Sequence, residues 1–300
     1  RPDQLAEVKE ANDIAGYVTE KASQETGLAV GTPVIVGTDD SGAEAISTGV
    51  VAPGKMMIQF GSSIYMILGT KERLWREEFI VPGLCDISAG TNAAGSLTKW
   101  YRDHIFSDCV KLETENGIDA YQTMMDGVAD IPLGSDGLIT LPYFAGERTP
   151  INDPLAKGIL FGLSLSHTRQ HMYRSALESV AYSVNQQLNI MLSHDVPIDQ
   201  IFAVGGGVKN ELWMQIVADV TGKEISTPKI TVGASFGDAL MAASGIQYPG
   251  FESFDKLTDF IKPGKTYYPD MDHHQAYKKY QSIYDALYPA TVDLMHRLSE

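Results

Sequence analysis

Cysteine is nearly absent: the 300 residues hold two, Cys85 and Cys109, with no CxxC spacing. A secreted disulfide framework and a cysteine zinc cluster are therefore both excluded, and a reducing cytoplasm is the simplest setting. Basic residues are also scarce. Lys and Arg number 23 against 38 Asp and Glu, a net charge of −15. A nucleic-acid binder needs a basic face to replace counterions, so that class falls away. No window of 18 apolar residues occurs, so no membrane span is expected. The chain opens Arg1-Pro2-Asp3-Gln4, without an initiator Met, signal peptide or transit peptide, and a piece of a longer protein is expected. No internal repeat and no low-complexity segment is visible. What remains is an ordinary enzyme composition, 44% apolar and 20% charged, of a length that suggests two domains.

Apolar runs and glycine turns organise the chain. Residues 4–26 are polar with scattered apolar positions and read as partly helical. Val34-Ile35-Val36 reads as a buried strand, ending in Gly37-Thr38-Asp39-Asp40 before a small-residue helix over 41–48. Met56–Phe60 and Ile64–Leu68 flank Gly61-Ser62-Ser63 and predict a β-hairpin. A helix is expected over 96–106, following Ala93-Ala94-Gly95, whereas 108–136 carries no clear pattern. Leu138–Pro142 is strand-like, and 146–150 is a loop. Leu177, Val180, Val184, Leu188 and Met191 recur at steps of three and four, which predicts one long helix over 168–194. Ile201–Val204 is a buried strand running into Gly205-Gly206-Gly207. Helices follow up to Gly222, over 234–244 and over 275–299. Strands alternating with helices indicate an α/β fold.

Three places carry candidate chemistry. Asp40 stands where a strand gives way to a helix, where α/β proteins put ligands, and a carboxylate there can take a proton from a hydroxyl. An Asp before a helix is equally an N-cap, and of Asp39 and Asp40 either can cap and leave the other free. Gly61-Ser62-Ser63 offers unhindered amides and two hydroxyls suited to phosphate oxygens, although Gly and Ser also make plain turns. Gly205-Gly206-Gly207 lets backbone approach a ligand closely. It does not fit GxGxxG, because Asn210 stands at the third glycine, nor the Gly-Lys-Ser/Thr phosphate loop. Three successive glycines exceed what packing needs and favour a nucleotide site. His167 and His171 share the spacing of zinc ligands but lack a third, and no metal-ligating residue is assigned. His273 and His274 read as solvated surface, and Trp75, Trp100 and Trp213 as packing residues.

Taken together, these segments resemble the FGGY family of carbohydrate kinases. The most specific stretch is Gly158-Ile-Leu-Phe-Gly162-Leu163, seven residues, then His171-Met172-Tyr-Arg-Ser175-Ala176-Leu177-Glu178, which is similar to the family's C-terminal signature. Gly146-Glu147-Arg148-Thr149-Pro150 with Asn152-Asp153-Pro154 resembles the xylulokinase-like branch. Gly37-Thr-Asp-Asp40, with Gly49 nine residues on, resembles the segment carrying the catalytic aspartate, which places Asp40 in that role. Gly61-Ser62-Ser63 falls where the family has a Gly-Thr-Ser/Thr phosphate loop, so Ser62 keeps the hydroxyl and lacks the methyl. Ala94-Gly95-Ser96 with Trp100 resembles a second ATP-facing segment and adds Gly95 and Lys99; Gly205, Gly206, Gly207 and Asn210 resemble the adenosine motif.

The resemblance implies an actin-like ATPase (ribonuclease H-like) α/β fold, with this chain the C-terminal portion of a two-domain sugar kinase. Residues 1–52 would end the first domain and 53–300 would form the ATP-binding second. The family's N-terminal Asp-x-Gly-Thr loop for phosphate and magnesium is missing, so the chain alone is expected to be inactive. The implied reaction moves the γ-phosphoryl of MgATP to a hydroxyl of a small sugar or polyol, a pentulose such as xylulose foremost. Mg²⁺ would be held through the ATP phosphates and the missing domain, and a homodimer is a family expectation. The alternatives are an actin-like assembly or chaperone module and an inactive kinase-derived sugar sensor.

Overall fold

The computed structural model describes residues 4, 6–73, 81–230 and 232–300. In chain order its elements begin with β1 (Ile14–Tyr17), α1 (Glu20–Thr26), β2 (Pro33–Ile35), α2 (Asp40–Ser47), β3 (Lys55–Phe60), β4 (Ile64–Thr70) and β5 (Cys85–Thr91). They continue with α3 (Gly95–His104), α4 (Ser107–Asn116), α5 (Ala120–Met124), β6 (Ile139–Leu141), β7 (Ile159–Phe161), α6 (Arg169–Ser193) and β8 (Gln200–Val204). The last are α7 (Glu211–Thr221), β9 (Ile225–Pro228), α8 (Ala234–Gly245), β10 (Pro263–Tyr267) and α9 (Met271–Arg297).

A six-stranded mixed sheet, ordered β10-β9-β8-β3-β4-β5, forms the centre. The hairpin expected around residues 61–63 is β3–β4, in register from Met56 opposite Leu68 to Phe60 opposite Ile64. β3 also pairs with β8 in parallel, Gln59 opposite Val204, so both strands end on the same side of the sheet. Side chains alternate across a strand, and the sheet uses both faces. Met56, Ile58, Phe60, Ile64, Met66 and Leu68 are buried in one large core with α6 and α7. Met57, Ile67 and Val204 face the other way and pack on Ala45 of α2 and on Val50. The stripe predicted on the long helix is α6, whose Leu177, Val180, Val184, Leu188 and Met191 are all buried.

Several expectations need correction. β2 is not buried: Val34 is 47% and Val36 42% exposed. β-branched residues favour a strand, but burial depends on the neighbours, and β2 pairs with β1 alone among the described residues. The segment read as partly helical holds β1 as well as α1. The unreadable 108–136 stretch contains α4 and α5, closed by Gly117 and opened by Asp119, whose side chain accepts the Gln122 N–H. The last helix starts at Met271, earlier than Gln275, because the Asp270 carboxylate accepts the N–H groups of Asp272 and His273. His273 and His274 dock this helix onto α7: His273 Nδ1 lies 3.0 Å from Asp219 Oδ2, and His274 Nδ1 lies 3.0 Å from the Asp219 carbonyl. Trp213 is buried; Trp100, partly exposed, packs edge-on against Phe144. Trp75 lies outside the described residues. Among the described residues no helix is long and apolar enough to cross a membrane.

α2 and α8 touch backbone to backbone. A β-carbon on Gly237 would lie 1.8 Å from the Ala43 carbonyl oxygen, so glycine is required for the crossing. Around it Ala43 and Ile46 pack with Leu240, Met241, Phe254 and Leu257. The helix that carries Asp40 is thereby fixed to the helix that follows β9.

Candidate functional site

The expected phosphate loop and the glycine run lie side by side at the carboxyl ends of β3 and β8. The three glycines have separate duties. Gly205 has φ 91° and ψ −177°, a region essentially reserved for glycine, and its β-carbon would meet the Phe60 carbonyl oxygen at 2.7 Å. At Gly207 a β-carbon would press on Phe60 Cβ at 2.8 Å and on the Trp213 ring at 3.0 Å. Both positions therefore serve strand and helix packing. Gly206 is different: nothing lies within 4 Å of its missing β-carbon, and the residue is exposed. It is the open face of the cradle.

The hairpin tip is held by its carbonyls and leaves its hydroxyls free. The Ser62 carbonyl accepts from Ala94 N (3.0 Å), Ser96 N (2.9 Å) and Ser96 Oγ (2.8 Å), while the Gly61 carbonyl accepts from Gly95 N at 3.0 Å. These bonds use the first N–H groups of α3, which a helix cannot satisfy internally. A β-carbon on Gly95 would meet the Gly61 oxygen at 2.5 Å, so Gly95 is where α3 seats against the loop. The hydroxyls of Ser62 and Ser63 have no hydrogen-bond partner among the described residues, and Ser62 is exposed.

Lys99 and Asn210 are engaged within the chain. Lys99 pairs with Asp103 one turn along α3. Asn210 caps α7, its Oδ1 accepting from Trp213 N at 3.0 Å and its amide nitrogen lying 3.2 Å from the Met125 sulfur. The question of the two aspartates is answered by α2. Asp39 is the cap, its Oδ1 accepting the Gly42 N–H at 2.8 Å. Asp40 is the first helical residue, exposed, with its Oδ1 on its neighbour Ser41 N at 2.9 Å. Both residues are exposed, and Asp39 is the one whose carboxylate caps the helix.

Sequence reading passed over Glu44, one turn after Asp40. Its Oε2 would lie 2.8 Å from a β-carbon on Gly233, and it accepts the N–H of Ala234 at the start of α8. Burial pushes its carboxyl pKa up, the Ala234 bond opposes that, and Asp40 nearby adds to the rise. The i,i+4 spacing of Asp40 and Glu44 within the small-residue helix α2 is the sequence signal for it. The histidine pair is occupied locally: His167 Nδ1 accepts Ser164 N at 2.9 Å, and His171 Nε2 lies 3.2 Å from Asp136 Oδ2. Among the described residues no group of three His, Cys, Asp or Glu side chains is placed to hold a metal ion.

Comparison with known proteins places the chain among sugar kinases. The sequence profile of the C-terminal domain of the FGGY family of carbohydrate kinases matches residues 56–246. The chain is 29% identical over 294 residues to a xylulose kinase of Bacillus subtilis, covering 95% of this chain and 56% of that protein. It is 30% identical over 301 residues to a ribulokinase of Geobacillus thermodenitrificans, covering 95% and 53%. The crystal structure of xylulose kinase from Rhodospirillum rubrum superposes with a TM-score of 0.81 at 31% identity, over 96% of this chain and 58% of that one. The chain thus spans about half the length of the curated relatives it matches.

Proposed function

The chain belongs to the FGGY family of carbohydrate kinases, and from that premise we propose that it forms the ATP-facing part of a kinase that phosphorylates a small sugar or polyol. The observation that carries the reading is the pairing of two loops at the ends of adjacent parallel strands. One has unpartnered hydroxyls at Ser62 and Ser63, and the other has an open glycine at Gly206. In this reading the Ser62–Ser63 tip receives ATP phosphate oxygens, and Gly206 lies against the base or ribose, where a side chain would intrude. Gly205, Gly207 and Gly95 shape the two loops from behind.

Asp40 is the proposed base. It opens α2, its neighbour Asp39 has taken the cap, and no cation is paired with it among the described residues. It would accept the proton of the attacking sugar hydroxyl as that oxygen moves onto the γ-phosphorus. Such transfer is catalysed mainly by positioning and charge stabilisation. Mg²⁺, in this reading, enters on the ATP phosphates and supplies charge neutralisation there; with no ligand cluster among the described residues, we route no step through a metal held by this chain. A pentulose is the substrate we favour, because the relatives include enzymes named xylulose kinase and ribulokinase. The family match does not favour the assembly-module alternative. The test is a coupled ADP-release assay on the protein expressed from its whole gene, against pentuloses, polyols and sugar acids. Turnover confined to pentuloses supports the proposal, turnover with sugar acids alone moves the substrate, and no sugar-dependent ADP with any of them refutes it.

A further inference from the structure

The loop 146–153 presents a buried acid and an arginine to the base of the proposed phosphate loop. It is closed on itself by reciprocal bonds between Glu147 and Asp153, each N–H donating to the other's carbonyl at 2.9 Å. From this brace the Glu147 side chain, 3% exposed, reaches the end of β5. Its Oε2 accepts Thr91 Oγ1 at 2.5 Å, and its Oε1 accepts Asn92 N at 3.2 Å and Arg148 N at 2.6 Å. Arg148 crosses the last rung of the β4–β5 ladder, where Ile64 faces Thr91. Its Nη2 donates to the Ile64 carbonyl at 2.9 Å and reaches toward the Thr91 carbonyl at 3.5 Å. Gly90 makes room for it, since a β-carbon there would lie 3.0 Å from Nη2.

These anchor points bracket the loop. Ile64 is the first residue after Gly61-Ser62-Ser63. Thr91 and Asn92 lead directly into Ala94, Gly95 and Ser96, the residues that hold the Gly61 and Ser62 carbonyls. Both chains that fix the hairpin tip thus pass through the Glu147–Arg148 brace before they reach it. None of the hydrogen bonds of these two side chains goes to residues 205–207. Arg148 Nε is buried without a partner, so the guanidinium is held where it is by its Nη2 contacts at the cost of one unsatisfied donor.

We infer that Glu147 and Arg148 are positioning residues that set the phosphate-binding loop relative to the glycine cradle, and so govern phosphate recognition without touching the base or the sugar. The inference rests on the nucleotide reading given above. In the protein expressed from its whole gene, Glu147→Ala removes three hydrogen bonds to the brace. AMP, which depends on the cradle, should bind within about twofold of wild type, while the preference for ATP over AMP falls by about ten- to a hundredfold, the loss expected when buried hydrogen bonds are removed. Glu147→Gln should retain most of the preference: its amide oxygen can still accept from Asn92 and Arg148, and Thr91 can turn its hydroxyl to accept from the amide. Arg148→Lys, which keeps the charge but not the reach across the rung, should fall between the two.

Calorimetric titration of all four proteins with AMP and with ATP decides the matter, and Gln and Lys serve if the Ala variant does not fold. An ATP preference unchanged in Glu147→Ala, or in Arg148→Lys, overturns the inference. So does a Gln variant as impaired as the Ala variant, because the carboxylate would then act through its charge or proton. A wild-type protein that binds neither nucleotide overturns the nucleotide reading itself and this inference with it.

Discussion

Substituting the glycine run one residue at a time should separate packing from ligand binding. At Gly205 an alanine must adopt a backbone region essentially closed to side chains, at about 1–3 kcal/mol, and its β-carbon falls 2.7 Å from the Phe60 carbonyl oxygen. That oxygen belongs to β3, which is paired with β8 next door, so relief requires prising two central strands apart. A total near 3 kcal/mol follows, or about 6–12 °C in Tm for a domain of this size. At Gly206 a β-carbon meets no heavy atom within 4 Å and the residue is exposed, so Gly206→Val, its two methyls directed to solvent, should shift stability by no more than about 0.5 kcal/mol. Ligand binding should show the reverse order. A ligand at a hundred times its Kd stabilises by about 2.7 kcal/mol. Gly205→Ala should keep that ATP-induced rise from its lower baseline, and Gly206→Val should lose most of it from a normal one. Thermal melts with and without ATP give both quantities at once. A Gly206→Val protein with a full ATP shift would show that the cradle's open face does not meet nucleotide. A Gly205→Ala protein as stable as wild type would refute the steric argument.

What could be read from sequence was what is set by neighbours along the chain. The β3–β4 hairpin, the stripe of α6 and the glycine that stops α7 follow from local pattern, and the structure has them within a residue or two. Ile14–Tyr17 shows little alternation and owes its extension as β1 to β2, about twenty residues away. Val34-Ile35-Val36 predicts a buried strand, but no sequence window reports how many strands flank it. The same limit applied at the candidate site. The segments at Asp40, Ser62 and Gly206 were visible, whereas the choice of Asp39 as cap needed the backbone of α2. The division of three identical glycines into two packing positions and one open position needed Phe60 and Trp213. Glu147 and Arg148 stood out as a motif, yet their partners Thr91 and Ile64 are 56 and 84 residues away, a separation that periodicity cannot bridge.

Further outcomes follow from individual contacts. Asp40→Asn should lower sugar phosphorylation by about 10²–10⁴-fold with ATP affinity kept, and turnover within a few-fold of wild type would remove Asp40 from the role of base. Asp39→Ala should instead cost about 1 kcal/mol of stability through the lost cap, seen as a lower urea midpoint. Gly237→Ala, which in an isolated helix would stabilise by about 1 kcal/mol, should here destabilise, because the new carbon falls 1.8 Å from the Ala43 oxygen; a higher Tm would show that α2 and α8 can separate freely. Glu147 provides a pH test whose sign is fixed by its surroundings. Burial raises its pKa above the ordinary 4.5, against the opposing bonds from Thr91, Arg148 and Asn92. The folded protein therefore holds this proton at pH values where the unfolded chain has released it, and the contribution of Glu147 to stability falls as pH rises from about 4.5 through the folded pKa. Glu147→Gln resembles the protonated acid at every pH and removes this one titration. Glu44, Glu178 and Asp285, whose pKa values are also raised, remain in both proteins and cancel in the difference. Urea denaturation of wild type and variant in parallel, from pH 4 upward, should give a stability difference that moves steadily in the variant's favour as pH rises. A difference that stays constant, or moves toward wild type, would mean that the bonds to the carboxylate outweigh the cost of burying its charge.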